Sequence, residues 1–401
     1  MPDRIAPPKR NPFEIGLRAS GQHFADREAE TARMVRAFSE PGSKLVVYGD
    51  RRLGKSSAMD RAAEEARKGG VAVAIASLAT ARDSADAAQR VLAAVHTAVG
   101  KGWREAVEQI AGTLNATVEI KPSTEPGALP AIAFGFGARE RGSEHRLLPD
   151  ALDAVNALLD RRGTSLGIGL DEFQRIHEWG GEDAEWALKD VFERHRRIGY
   201  VLAGSKRHQI EAMVTKKGRA LWKQVDLLAF GPIAPDELAA WIVAHAGRTG
   251  VHIPLAEADA IVGYAGPRTR DVVQLARAVW DDCSRTGEAP AGAAAAAMER
   301  LVREQAAFHE TMWRGLSTAQ AKVLRALAAD PALQVTSAEA SRRYGLGPKS
   351  TVSGALQALV EAELLVRVEA GYAFDDPFLR RWVQVFVLPD LGLPAPPLGS
   401  Q

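Results

Sequence analysis

Apolar runs without alternation recur through the first part of the chain, at Lys44–Tyr48, Val71–Ser77, Ser165–Leu170, Gly199–Gly204 and Val225–Phe230. A strand that shows water neither face keeps no polar side, so each run predicts a buried parallel strand. Between the runs, apolar positions return every three to four residues, the period of an amphipathic helix. The segment DREAETARMVRAF, Asp26 to Phe38, sets Thr31, Met34, Val35 and Phe38 on one face, and Pro41-Gly42 ends it. Helical patterns also cover 81–114, interrupted at Gly100-Lys101-Gly102, and 149–162. Five strands separated by helices predict an open, mostly parallel α/β sheet whose ligand crevice lies at the strand carboxyl ends. Two shorter runs, Ala116–Ile120 and Ala131–Phe136, are joined by KPSTEPGALP and predict a hairpin-like insert.

After Pro235 the pattern is helical, with no further parallel strand. Leu238, Trp241, Ile242 and His245 form one stripe; Val272, Leu275, Ala276 and Val279 form another. The alanine-rich run Gly292–Ala297 reads either as a connector or as the start of a helix reaching Met312. From Trp313 the periods predict helices at Thr318–Leu327, Ser337–Tyr344 (with Gly345 as its C-cap) and Lys349–Glu361, then a hairpin of Leu364–Val368 and Tyr372–Phe374. Three helices and a β wing describe a winged helix-turn-helix. Lys349, Ser350, Thr351, Ser353 and Gln357 fall on one exposed face of its third helix, where such side chains meet phosphates and base edges.

Composition narrows the functions. The 51 basic and 50 acidic residues nearly cancel, so no global field draws the chain to nucleic acid or membrane. Between Trp313 and Pro389 nine Lys/Arg face seven Asp/Glu, a thin surplus for a DNA reader. The single cysteine, Cys283, reads as a small buried hydrophobe and fits a reducing compartment. With no signal-like leader and no long apolar stretch, a soluble cytoplasmic protein without membrane contact is expected.

The chemistry concentrates at Gly49-Asp50-Arg51-Arg52-Leu53-Gly54-Lys55-Ser56, a G-x-x-x-x-G-K-[ST] loop between a predicted strand and a predicted helix. A phosphate chain needs backbone N–H groups wrapped closely around it, which glycines permit, and a helix start supplies more N–H groups with a positive dipole end. Lys55 is placed to reach the β- and γ-phosphates of ATP and Ser56 to ligate Mg²⁺, with Ser57 beside them. About 115 residues on, the buried run ending in Asp171-Glu172 supplies the partner carboxylates. Asp171 suits the metal ion and Glu172 the attacking water. Ser205, at the end of Gly199–Gly204, is either a γ-phosphate sensor or the cap of the next helix. Gly266-Pro267-Arg268-Thr269-Arg270 opens a helix, and an arginine there is either a phosphate contact or a solvated side chain.

Taken together, NPFEIG, HFADREAE, GDRRLGKSS, GIGLDEFQRI, VLAGS and GYAFDDPFLRRWV resemble the archaeal-type ATPases of the AAA+/STAND group, which have bacterial members and are related to origin-recognition ATPases. The resemblance runs from Asn11 to Val383. It implies a P-loop AAA+ core with a parallel sheet, a helical lid and a winged helix, with ATP and Mg²⁺ as ligands. The domain bounds it suggests are 21–235 for the core, 236–312 for the lid and 313–388 for the winged helix; residues 1–20, rich in Pro and charge, read by themselves as an extended N-terminal arm, and 389–401 as a Pro-rich tail. It implies Lys55 and Ser56 as the Walker A pair, Asp171 and Glu172 as the Walker B pair, and Ser205 as the sensor. The lid motif departs from the usual Gly-x-Pro spacing and leaves both Arg268 and Arg270 as the lid arginine. Arg194, Arg196 and Arg197 stand close together like a solvated helix face, so no clear trans-acting arginine finger is read, which argues against a ring-shaped motor. The function expected is a slow ATP hydrolase that acts as a switch and repositions its winged helix on a partner, foremost double-stranded DNA. The alternative is a signalling or defence scaffold whose winged helix clamps a protein partner. A helper ATPase of transposition or replication loading is the third reading, and it would require ATP-dependent oligomers.

Overall fold

The computed structural model describes residues 10–15, 27–99, 104–121, 131–137, 144–368, 371–389 and 396–398. The chain before Arg10, the first half of HFADREAE, most of KPSTEPGALP, residues 100–103, Glu369-Ala370 and most of the tail lie outside these residues. Two compact units form, one of Arg18–Gly231 and one of Pro232–Gln401 with Met1–Leu17.

In the first unit α1 (Glu28–Ser39) precedes β1 (Lys44–Tyr48), α2 (Lys55–Lys68), β2 (Val73–Ser77), α3 (Ser84–Val99) and α4 (Arg104–Thr113). The insert follows as β3 (Ala116–Lys121) and β4 (Ala131–Phe136), an antiparallel pair. Then come α5 (Leu147–Arg162), β5 (Leu166–Asp171), α6 (Arg175–Arg194), β6 (Ile198–Gly204), α7 (Arg207–Thr215) and β7 (Asp226–Ala229). The five long-range strands are all parallel, in the order β2-β5-β6-β1-β7. Side chains alternate across this sheet, yet both sides are buried. Val46, Ile168, Leu170 and Leu202 join one core with Leu92, Leu152 and Leu188, while Leu45, Val47 and Val201 join a second with Met34, Phe38 and Met59. Helices on both faces thus explain why the strands read as unbroken apolar runs.

Two buried polar side chains of this unit find their partners close by. His195 is fully buried, with Nδ1 2.7 Å from the Tyr200 hydroxyl and Nε2 2.8 Å from Asp153. Burial pulls the Asp153 carboxyl upward, but the hydrogen bonds from His195 and Arg194 prevail and hold it below its ordinary value. Gln89 of α3 donates to Ile132 O at 2.9 Å and accepts from Phe134 N, so one side chain pairs with β4 as a neighbouring strand would.

The second unit begins with α8 (Pro235–Gly247), α9 (Leu255–Ala265), α10 (Thr269–Cys283), α11 (Ala293–Glu304) and α12 (Ala306–Arg314). The alanine-rich run is the start of α11, and the helical stretch breaks once, at Gln305. Next stand α13 (Thr318–Ala329), α14 (Ala338–Tyr344), α15 (Lys349–Glu361), the antiparallel pair β8 (Leu365–Val368) and β9 (Gly371–Phe374), and α16 (Pro377–Trp382). Ser317 and Gln320 close a capping box on α13, and Gly345 ends α14 at φ 61°.

The described part of the expected N-terminal arm is packed rather than extended free. Phe13 is 1% exposed, with its ring edge-on to Trp241 and His245, and Pro12 O lies 2.9 Å from His245 Nε2. Asn11 donates to Arg277 O at 3.1 Å and to Asp281 at 2.7 Å. An apolar ring among polar neighbours gave the arm an anchor that its Pro-rich and charged composition conceals.

Glu257 of α9 is buried and accepts from Gly292 N at 2.6 Å and Ala294 N at 2.9 Å, capping α11 from another helix. Glu257→Ala leaves these donors unmet and is expected to cost about 2–4 kcal/mol. Urea unfolding with an unchanged midpoint would refute that role.

Candidate nucleotide-binding site

The loop between β1 and α2 lies at the carboxyl edge of the sheet, where its strand order permits a crevice. Gly49 sits so near the strand-end loop after β7 that a Cβ there would stand 2.1 Å from Phe230 O, so any side chain would push the loop out. α2 starts after Gly54 with no side-chain cap and no acid in its first turn, an end suited to an anion. Lys55 is 6% exposed and donates to Gly49 O at 2.9 Å and Asp50 O at 2.6 Å. Burial lowers its pKa from 10.5 to about 8, although Glu172, Asp171 and Asp50 pull the other way. Among the described residues this ammonium donates only to backbone oxygens and forms no ion pair, and a phosphate chain would give it one.

Asp171 ends β5 and is buried, and its backbone oxygen accepts from Leu78 N at 2.8 Å. Glu172 turns the chain at φ 57°, a left-handed conformation that costs a glutamate roughly 1 kcal/mol. The turn aims its carboxylate at Ser205, whose hydroxyl donates to Oε2 at 2.7 Å. The Ser205 oxygen in turn accepts from Arg51 Nε at 3.4 Å, so Ser205 links the phosphate loop to Glu172. The helix-cap reading of Ser205 is not what is found: α7 has no side-chain cap. The structure therefore gathers Gly49, Asp50, Arg51, Lys55, Asp171, Glu172 and Ser205; Arg52, Leu53, Ser56 and Ser57 complete the same loop and first turn.

Two contributors escape the motif. Gln174 is 1% exposed and donates through Nε2 to Glu172 Oε2. A Cβ on Gly204 would stand 2.2 Å from Gln174 Oε1 and 2.4 Å from Ile210 Cδ1, so a side chain at this glycine of VLAGS would displace Gln174, Ile210 or both. Arg27, buried at 6%, donates to Gly231 O at 2.6 Å and Leu53 O at 3.4 Å with its guanidinium 4.2 Å from the Phe230 ring centroid. It braces the phosphate loop against the strand-end loop. The DRE and DEFQ segments contain both residues, but only their tertiary neighbours reveal these contacts.

Within the second unit, the two lid arginines differ. Arg268 is buried and its guanidinium grips the Asp375 carboxylate and backbone oxygen just after β9, whereas Arg270 is exposed. Arg381 of α16 makes a further ion pair with Glu299 of α11. Lys349, Ser350, Thr351, Ser353 and Gln357 are all exposed on α15, as its period predicts. In the first unit Arg194 pairs with Asp153 and Arg197 with Asp160, so two of the three clustered arginines serve local ion pairs. Among the described residues, no helix is long and apolar enough to cross a membrane.

Residues 307–385 match a family model described as a probable winged helix domain. No curated protein matches the sequence. Among solved structures, a Walker-type ATPase of Pyrococcus abyssi is 14% identical, with a TM-score of 0.60 over 93% of this chain and 100% of that one. The ADP form of the ORC2 protein of Aeropyrum pernix is 15% identical, with a TM-score of 0.50 over 92% of this chain and 94% of that one. Likeness at such identities speaks for architecture, and with the sheet order and phosphate loop it gives one assignment. The chain has the AAA+ type of P-loop ATPase fold, a five-stranded parallel core with helices, followed by a C-terminal winged helix domain.

Proposed function

We propose that the chain binds ATP with Mg²⁺ at the phosphate loop, hydrolyses it slowly, and uses the cycle to set the disposition of its winged helix toward duplex DNA. Residues 21–235 serve as the ATPase core, 236–312 as the lid and 313–388 as the DNA-facing domain in this reading. The observation that carries it is the relay Arg51–Ser205–Glu172, which ties the loop that would hold the γ-phosphate to the carboxylate that would activate water. The pieces fit the nucleotide: Gly49 permits close approach, the first turn of α2 is uncapped, and the buried Lys55 ammonium donates only to backbone oxygens. Ser56 and Asp171 would hold Mg²⁺, which when bound neutralises phosphate charge. The protein's own work is positioning: Lys55 orients phosphate, while Ser205 and Gln174 fix the rotamer of Glu172.

The switch itself is supported by Arg268. A guanidinium committed to Asp375 is not available to phosphate, so nucleotide and winged helix compete for one lid arginine, with Arg270 as the second donor. Asp375→Asn should free Arg268 and tighten ATP binding by roughly 3- to 10-fold, about 0.7–1.4 kcal/mol. Equal ATP affinities in isothermal titrations of the two proteins would sink the competition.

The partner is tested by fluorescence polarisation of a generic duplex at two salt concentrations, with and without ATP and Mg²⁺. Salt-dependent, nucleotide-dependent binding is the expected result, since phosphate contacts release counterions. The winged helix carries only a small basic surplus, and that observation favours a protein-clamping scaffold as the second reading. Absence of duplex binding while ATP still binds would select it.

A further inference from the structure

A cavity of about 250 Å³ lies at the opposite edge of the sheet from the phosphate loop. It is set by Lys44 at the first residue of β1, by Lys189, Glu193 and Arg196 on and just after α6, and by Gln224 before β7. Phe192 and Leu221, both buried, and Val225 supply an apolar wall. Three cations thus share the cavity with one carboxylate, and that carboxylate is already paired: Glu193 lies 3.0 Å from Lys189 Nζ. Lys44 Nζ reaches only a neutral acceptor at 2.8 Å, the backbone oxygen of Gly42. Arg194 and Arg197, on either side of Arg196 in sequence, have their own aspartates; Arg196 has no ion pair among the described residues. Burial, and then the Arg196 charge, push Lys44 below the ordinary lysine value, while Glu193 opposes them. Keeping two cations together without a free acid costs energy that a bound dianion would return.

We propose that this cavity is a second ligand site, taking a small organic phosphate whose oxygens meet Lys44, Arg196 and Gln224 and whose carbon portion lies on Phe192, Leu221 and Val225. A phosphate ester satisfies both demands of the lining, a doubly negative head for the unneutralised cations and a short carbon chain for the apolar wall. The volume admits a molecule of sugar-phosphate size and is too small for a nucleoside triphosphate. Nothing in the proposed ATP reaction uses these residues, so the site stands whether or not that reading does.

The probe is glycerol 3-phosphate, with glycerol and inorganic phosphate as controls, added to full-length protein saturated with ADP. Binding is read by ³¹P line broadening of the added ester. Line broadening is expected in the wild type and in Lys55→Ala, and its loss, with affinity at least about fivefold weaker, in Arg196→Gln and Lys44→Met. Arg196 is exposed and outside any element, so Arg196→Gln keeps the test decisive should Lys44→Met disturb β1. Broadening that disappears only in Lys55→Ala would assign the ester to the phosphate loop and overturn the proposal, as would no broadening in the wild type. Inorganic phosphate binding as tightly as the ester would retain the anion site and refute the apolar contribution.

Discussion

Glu172→Gln is expected to lower ATP turnover by roughly 10²–10⁴-fold, the contribution typical of a positioned base, and to leave ATP affinity nearly unchanged. The amide keeps the size of the carboxylate and can still meet the Ser205 hydroxyl and the Gln174 amide at the end of β5, so the turn at Glu172 has no cause to rearrange. What disappears is the negative charge that accepts a proton from water. Single-turnover hydrolysis alongside equilibrium binding separates these effects. Full turnover in the variant would remove Glu172 from its assigned role and with it the meaning of the relay through Ser205. Ser205→Ala gives the intermediate case, because the base survives and only its rotamer is loosened.

Lys55→Met should have two opposite effects. ATP affinity falls by at least about 100-fold, since a buried ammonium facing phosphate makes charge-assisted bonds of roughly 1.5–3 kcal/mol each. The nucleotide-free protein, by contrast, becomes more stable at neutral pH. Lowering a buried lysine from 10.5 to about 8 means that charging it costs the folded state roughly 3 kcal/mol, partly offset by its bonds to Gly49 and Asp50. The sign follows from proton counting. Between about pH 8 and 10.5 the unfolded chain holds a proton on Lys55 that the folded chain lacks, so wild-type stability gains as pH rises through that window. Below about 8 both states are protonated and the penalty is present in full. Urea unfolding without nucleotide should find the variant ahead of wild type at pH 7 and the gap closing toward pH 10. A gap that is constant with pH would mean that the ammonium is not the source.

Much of this site is visible in the chain because its local requirements are strict. A phosphate loop needs its glycines and its lysine at fixed spacing, and a fully buried parallel strand needs an apolar run, so Lys44–Tyr48 appears with the same bounds in sequence and structure. The third helix of the winged helix, Lys349–Glu361, is equally well marked by its period. The observed β2 and β7 are shorter than their apolar runs at Val71–Ser77 and Val225–Phe230, because hydrogen bonding to a neighbouring strand, rather than hydropathy, ends a strand. Contacts across long sequence separations leave no such mark. Asp375 is one acid among many until Arg268 closes on it from 107 residues away, and Arg27 is a surface-like arginine until Phe230 and Gly231 are found beside it. Such partnerships depend on the fold having formed, and periodicity reports only which face of an element is dry.

The packing of Asn11–Phe13 on α8 and α10 also bears on the order in which the molecule is made. Pro12 leaves the ribosome 233 residues before His245, the group it will meet. All of Arg18–Gly231 emerges in that interval and holds every strand of its own sheet. Domains fold as units while synthesis proceeds, and closing so long a loop early is entropically unfavourable. The unit that holds the parallel sheet is therefore expected to fold first, and the second unit to be completed when Phe13 packs against Trp241 and His245.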